Sequence, residues 1–106
     1  MNTAEQISHV VNGINTQDVL SLATGISLEE EYGKFTFRAN NRWLGGARSR
    51  SSIRGFYAGG EENTERRQSH QVDADQPLFL GGDNTAANPV EHLLHALDSC
   101  LTVTLV

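Results

Sequence analysis

Asn88-Pro89-Val90-Glu91-His92-Leu93-Leu94-His95-Ala96-Leu97-Asp98-Ser99-Cys100-Leu101-Thr102 is the stretch on which the fold turns. Asn88 is a favoured N-cap, Pro89 suits the first helical position, and Glu91 stands three residues after the cap, a variant of the capping box. Val90, Leu93, Leu94, Leu97 and Leu101 then recur on one apolar stripe. These signals predict a helix from Asn88 onward. Nothing closes it: the remaining residues to Val106 include no Gly, Asn or Pro and carry no charge. The expectation is a fragment, or an apolar end covered by a partner chain.

Working back from the helix, residues 77–87 read as a connecting loop rich in Gly, Asp and Asn. Three strands precede it. Residues 34–39 alternate, with Phe35, Phe37 and Ala39 on one face. Gly45-Gly46 suits a hairpin turn into a strand over 47–57, and Gly59-Gly60 lies in a loop before a third strand at 64–74. Three sequential antiparallel strands form a meander whose apolar face needs cover. Further back, residues 4–11 predict a short helix punctuated by Asn12-Gly13. Asn15-Thr16 caps a second helix bearing Val19, Leu20, Leu22 and Ala23, which Gly25 ends. Glu29-Glu30-Glu31 is read as a solvated boundary. The fold class is α+β: an antiparallel meander packed on the Asn88 helix, in residues 32–106, behind an N-terminal helical extension over 1–31.

Composition narrows the function. The 106 residues suit one domain, at 38% hydrophobic and 20% charged. No run approaches a membrane span, and no cationic leader precedes an apolar core. A single cysteine excludes a disulfide scaffold and suits a reducing cytoplasm. All eight basic residues lie between Lys34 and Arg67, a segment of net charge +5 within a chain of −5. Seven of the eight are arginines, which favour anionic or carboxylate partners. The overall negative charge and the lack of an aromatic-interleaved basic motif argue against nucleic acid.

Few residues carry chemistry. Cys100 lies on the helix at the flank of the apolar stripe, about 60° from Leu97 and about 80° from Val90 at 100° per residue. It reads as a buried inert thiol or as a nucleophile. The second role requires cations nearby and access to substrate. Arg48 and Arg50, on the strand after the hairpin, are the cations in view. Glu91 reads first as a helix-capping residue. His92 and His95, spaced i, i+3, share a helix face and permit joint metal ligation with Glu91. The metalloprotease spacing is absent, however, and Cys100 is about 140° from His95, so two solvent-facing histidines and no metal or cofactor are expected. An alanine at His92 is expected to change little. No phosphate loop, nucleophile elbow or zinc ribbon occurs.

Four stretches together resemble the OsmC/Ohr family, the osmotically inducible protein C and organic hydroperoxide resistance proteins. They are Phe35–Trp43, Ile53–Tyr57, Ala74–Pro77 and Asn88–Thr102, covering about residues 32–106. The most specific is the Asn-Pro helix start with a cysteine further along the helix. The resemblance implies an OsmC-like α+β fold working as an intertwined homodimer, with central helices wrapped by antiparallel sheets. It further implies peroxiredoxin-like, thiol-dependent reduction of small organic hydroperoxides in oxidative stress. Cys100 would be the peroxidatic nucleophile, and another thiol would resolve the resulting sulfenic acid. By the same resemblance an arginine, here Arg48 or Arg50, and a glutamate, here Glu91, hold the thiolate and orient the peroxide. In the peroxidases the glutamate directly follows Asn-Pro, where this chain has Val90. Their resolving cysteine lies further along than residue 106. The alternative is a non-catalytic dimeric binding or scaffold module of the same fold.

Overall fold

Asn12 and Gly13 turn a β-hairpin rather than end a helix: both have positive φ, as the tight primed hairpin turn requires. The structure, a computed structural model, describes residues 10–106. Most of the helix expected over 4–11 lies outside the described residues, and its last two residues are strand. In chain order the elements are β1 (Val10–Val11), β2 (Ile14–Asn15), α1 (Thr16–Leu28), a 3-10 turn (Glu30–Gly33), β3 (Thr36–Phe37) and β4 (Asn40–Gly45). Then follow β5 (Arg48–Ile53), β6 (Phe56–Ala58), β7 (Glu61–Asn63), β8 (His70–Ala74), a 3-10 turn (Leu78–Leu80) and α2 (Pro89–Leu105). The described residues are α+β, with two helices and antiparallel sheets.

The chain divides into two units, one of residues up to 37 with 55–64, the other of 38–54 with 65–106. In the first unit, Asn15 caps α1 as expected, its side chain accepting from the Gln17 and Asp18 amides. The helix runs through Gly25 and ends at Leu28, three residues later than expected. A lone glycine costs a helix only about 1 kcal/mol, too little to stop it where the hydrogen-bonded ladder continues. The acidic run is ordered: Glu31 accepts a 2.8 Å hydrogen bond from the Tyr57 hydroxyl and pairs with Lys34 at 3.1 Å. Antiparallel β3, β6 and β7 form this unit's three-stranded sheet, with Phe37 opposite Phe56 and their rings 5.5 Å apart.

The second unit holds the antiparallel sheet β4-β5-β8, which differs from the expected meander: the first strand expected, over 34–39, is only β3 and pairs with β6 in the other sheet, and the place beside β5 is taken by β4, Asn40–Gly45. The single strands expected over 47–57 and 64–74 are β5 then β6, and only β8. Gly55, which has no side chain to pack, sits at the first break. The Gly45-Gly46 hairpin forms as expected, with a bulge between Trp43 and Gly45 and the Trp43 indole donating to the Gly46 carbonyl at 2.9 Å.

The helix meets this sheet by the opposite side from the one its pattern suggests. Pro89, His92, His95 and Ala96 face the sheet residues Asn41, Ser49, Ser51, Val72 and Ala74 across a groove of about 510 Å³. At 100° per residue, the leucine stripe is centred about 160° away from the His92 direction. It is therefore bare: Leu93 is 70% exposed, and Leu94, Leu97 and Leu101 are each more than half exposed. Among the described residues no hydrophobic side chain is buried.

Candidate functional site

The path from β8 into α2 is built around one carboxylate. Asp75, directly after β8, is fully buried and accepts hydrogen bonds from the Gln76, Asp83 and Thr85 amides and from the Thr85 hydroxyl at 2.6 Å. Such a ring of donors favours the charged form. The Thr85 contacts above all hold the Asp75 carboxyl down at about 2. Asp75 also donates its backbone N–H to the Ala87 carbonyl at 3.3 Å, tying the end of β8 to the residue before the helix cap. Gly82 completes this loop: it is buried, and a Cβ there would run into the Gln76 backbone.

The helix begins as its sequence predicts. The Asn88 side chain accepts from the Glu91 amide at 2.8 Å, and the Glu91 carboxylate accepts from the Asn88 amide at 3.1 Å. Both halves of the capping box are formed. Glu91 is therefore occupied at the helix start. Cys100 lies nine residues on, about 14 Å along the axis and about 180° around it. Within one chain these two candidate residues are not brought together.

Cys100 is exposed. Its carbonyl accepts from the Thr104 hydroxyl at 2.8 Å, a bond within the helix. Around the axis it stands about 80° from His92 and about 60° from Leu97, at the seam between the sheet-facing side and the bare leucine face.

Arg48 and Arg50 alternate with Ser49 and Ser51 along β5, so they point to the sheet face away from α2. Arg50 makes a two-pronged contact with Asp73, its direct partner on β8, at 2.7 and 3.0 Å. These hydrogen bonds first, and the guanidinium charge with them, hold the Asp73 carboxyl below its ordinary range and push Arg50 up. Arg48 is exposed.

Two residues acquire roles that their sequence context does not display. Asp75 is one: no periodicity marks a buried carboxylate in a loop, and only its neighbours Asp83 and Thr85 hint at a hydrogen-bonded turn. His92 is the other. Expected to face solvent, it is half-buried, and its Nε2 lies 2.8 Å from the Asp73 carbonyl oxygen. His95 is exposed but lies on the sheet-facing side of the helix, along the same groove. Among the described residues no group of three His, Cys, Asp or Glu side chains is placed to hold a metal. No helix is long and apolar enough to cross a membrane, again among the described residues. Compared with protein-family models and with curated proteins, the chain matches none.

Proposed function

We propose that this chain is an OsmC/Ohr-type, thiol-dependent peroxidase that reduces small organic hydroperoxides in the cytoplasm as a homodimer, with Cys100 as its nucleophile. The observation that carries this reading is the placement of Cys100: an exposed thiol on the Asn-Pro-initiated helix, at the margin of an uncovered leucine face. A second copy laid on the leucines covers them and leaves Cys100 at the edge of the contact, where a small substrate reaches it. The Cys100 thiolate attacks one peroxide oxygen and the O–O bond breaks. The other oxygen leaves as an alcohol after taking up a proton, and sulfur is oxidised by two electrons to the sulfenic acid. A thiol reductant then displaces water from the sulfenic acid to give a mixed disulfide. A second thiol resolves that disulfide and regenerates Cys100.

An arginine beside sulfur favours the thiolate. Arg50 is committed to Asp73 and both arginines face away from their own α2, so the cation comes from Arg48 of the partner subunit. Steady-state assay with cumene hydroperoxide and dithiothreitol tests the reading. Wild type consumes peroxide, Cys100→Ser does not, and Arg48→Ala loses more rate than Arg50→Ala. Equal rates in wild type and Cys100→Ser would remove the peroxidase reading.

A second reading, a non-catalytic dimeric binding module, is favoured by the engagement of Glu91 in the helix cap and of Arg50 with Asp73. It predicts an intact dimer with no thiol-dependent turnover in the same assay.

A further inference from the structure

α2 has little to hold it on its own sheet. Its leucines face away, and the side it turns to the sheet carries Pro89, Ala96 and two histidines around an open groove. Along the helix only His92 is half-buried. Its Nε2, 2.8 Å from the Asp73 carbonyl, is the direct hydrogen bond from the body of the helix to the sheet. The acceptor is itself fixed: Asp73 pairs with Arg50 across the β5–β8 ladder, and its carboxylate is gripped by the Arg50 guanidinium. The capping box and the Asp75 loop set where the helix starts. They do not set its rotation against the sheet, because the capping box closes within the helix's own first residues and the Asp75 loop reaches only as far as Ala87. A second point one turn along, bonded sideways to a rigid strand, does set it.

We propose that His92 is a positioning residue: by donating from Nε2 to the Asp73 carbonyl, it fixes the rotation of α2 against the sheet and with it the direction in which Cys100 points. Cys100 is eight residues beyond His92, about 12 Å along the same rigid helix, so a twist at His92 carries over to the thiol. The catalytic consequence rests on the peroxidase reading and the alkylation pH profile on the proposed dimer, in which Arg48 of the partner subunit stands beside the thiol; the rotation of α2 rests on neither.

The test uses the 106-residue chain, in which Cys100 is the only cysteine. Two rates are measured in wild type, His92→Ala, His92→Gln and His95→Ala. One is alkylation of Cys100 by iodoacetamide across a pH series, and the other is sulfenic acid formation with cumene hydroperoxide. His92→Ala is expected to change the alkylation pH profile and to slow sulfenic acid formation about tenfold or more, since a misplacement of about 1 Å can cost on the order of a hundredfold. Glutamine keeps an N–H that reaches the Asp73 carbonyl, so His92→Gln returns both rates to within about threefold of wild type, a fraction of the net worth of one hydrogen bond. His95→Ala leaves both unchanged. If His92→Ala does not fold, His92→Gln alone decides: a wild-type profile supports the role and an altered one overturns it. A wild-type alkylation profile in a folded His92→Ala also overturns it. If wild type forms no sulfenic acid, the peroxidase reading fails and the alkylation series still decides the role of His92.

Discussion

Asp75 shows how much one side chain can organise where no hydrophobic side chain among the described residues is buried. Its carboxylate is lowered to about 2 in the folded state from an ordinary 3.8, chiefly by the Thr85 hydrogen bonds. A depressed carboxylate stabilises the fold fully above its unfolded value, and that contribution fades as pH falls from about 4 towards about 2. Asp75→Asn is therefore expected to lower the urea midpoint at neutral pH and to reduce the further loss seen on acidification to about pH 3. Equal neutral midpoints for wild type and variant would remove the carboxylate from this role. Neighbouring Gly82 has no room for a methyl group, so Gly82→Ala forces the loop backbone apart and costs about 1–3 kcal/mol in urea unfolding, as overpacking generally does. Asn88→Ala, which loses one cap acceptor, costs about 1 kcal/mol in the same experiment.

At the scale of elements, α2 separates what sequence can say from what it cannot. Its start was legible to the residue, because the Asn88–Glu91 box is local chemistry that needs no tertiary partner. So was the cap of α1 at Asn15. The apolar stripe was equally legible as a pattern, yet the pattern names a face and not the surface that covers it. The side that turned inward is the one that carries His92, which bonds the Asp73 carbonyl and faces Ser49, Ser51 and Ala74 across the groove. The Gly45-Gly46 hairpin was legible, but the three strands expected over 34–74 are six short ones, with β7 inside the expected loop, because pairing ends where the partner strand ends, as at Gly55 and before His70. The thiol was visible from sequence. So was the capping role of Glu91; the engagement of Arg50 with Asp73 was not, since it depends on a cross-strand partner that spacing alone does not identify. The uncovered stripe gives a direct expectation: Leu94→Glu and Leu97→Glu place a charge in the centre of the proposed contact. Each should convert dimer to monomer at micromolar concentration by light scattering, while Thr102→Glu on another side of the helix should not. Dimers unaffected by both leucine substitutions would mean that the leucine face is not the interface.

For the molecule as a whole, exposed leucines and valines along a 17-residue helix are a large apolar surface left in water. Each such side chain gains about 1.5–3 kcal/mol on full burial. In the proposed dimer a second copy covers this surface, association adds to the stability of the fold, and the melting temperature is expected to rise with protein concentration. A melting temperature constant over a hundredfold dilution would contradict this. The thiol exposed at the edge of that surface is the proposed peroxidatic group. Its most direct test is the intact mass of the 106-residue protein after one equivalent of cumene hydroperoxide, with and without dimedone. A peroxidatic Cys100 rapidly gains one oxygen atom and is captured in that state by dimedone, and neither change occurs in Cys100→Ser. Unmodified Cys100 after that treatment, in a folded dimer, would contradict it.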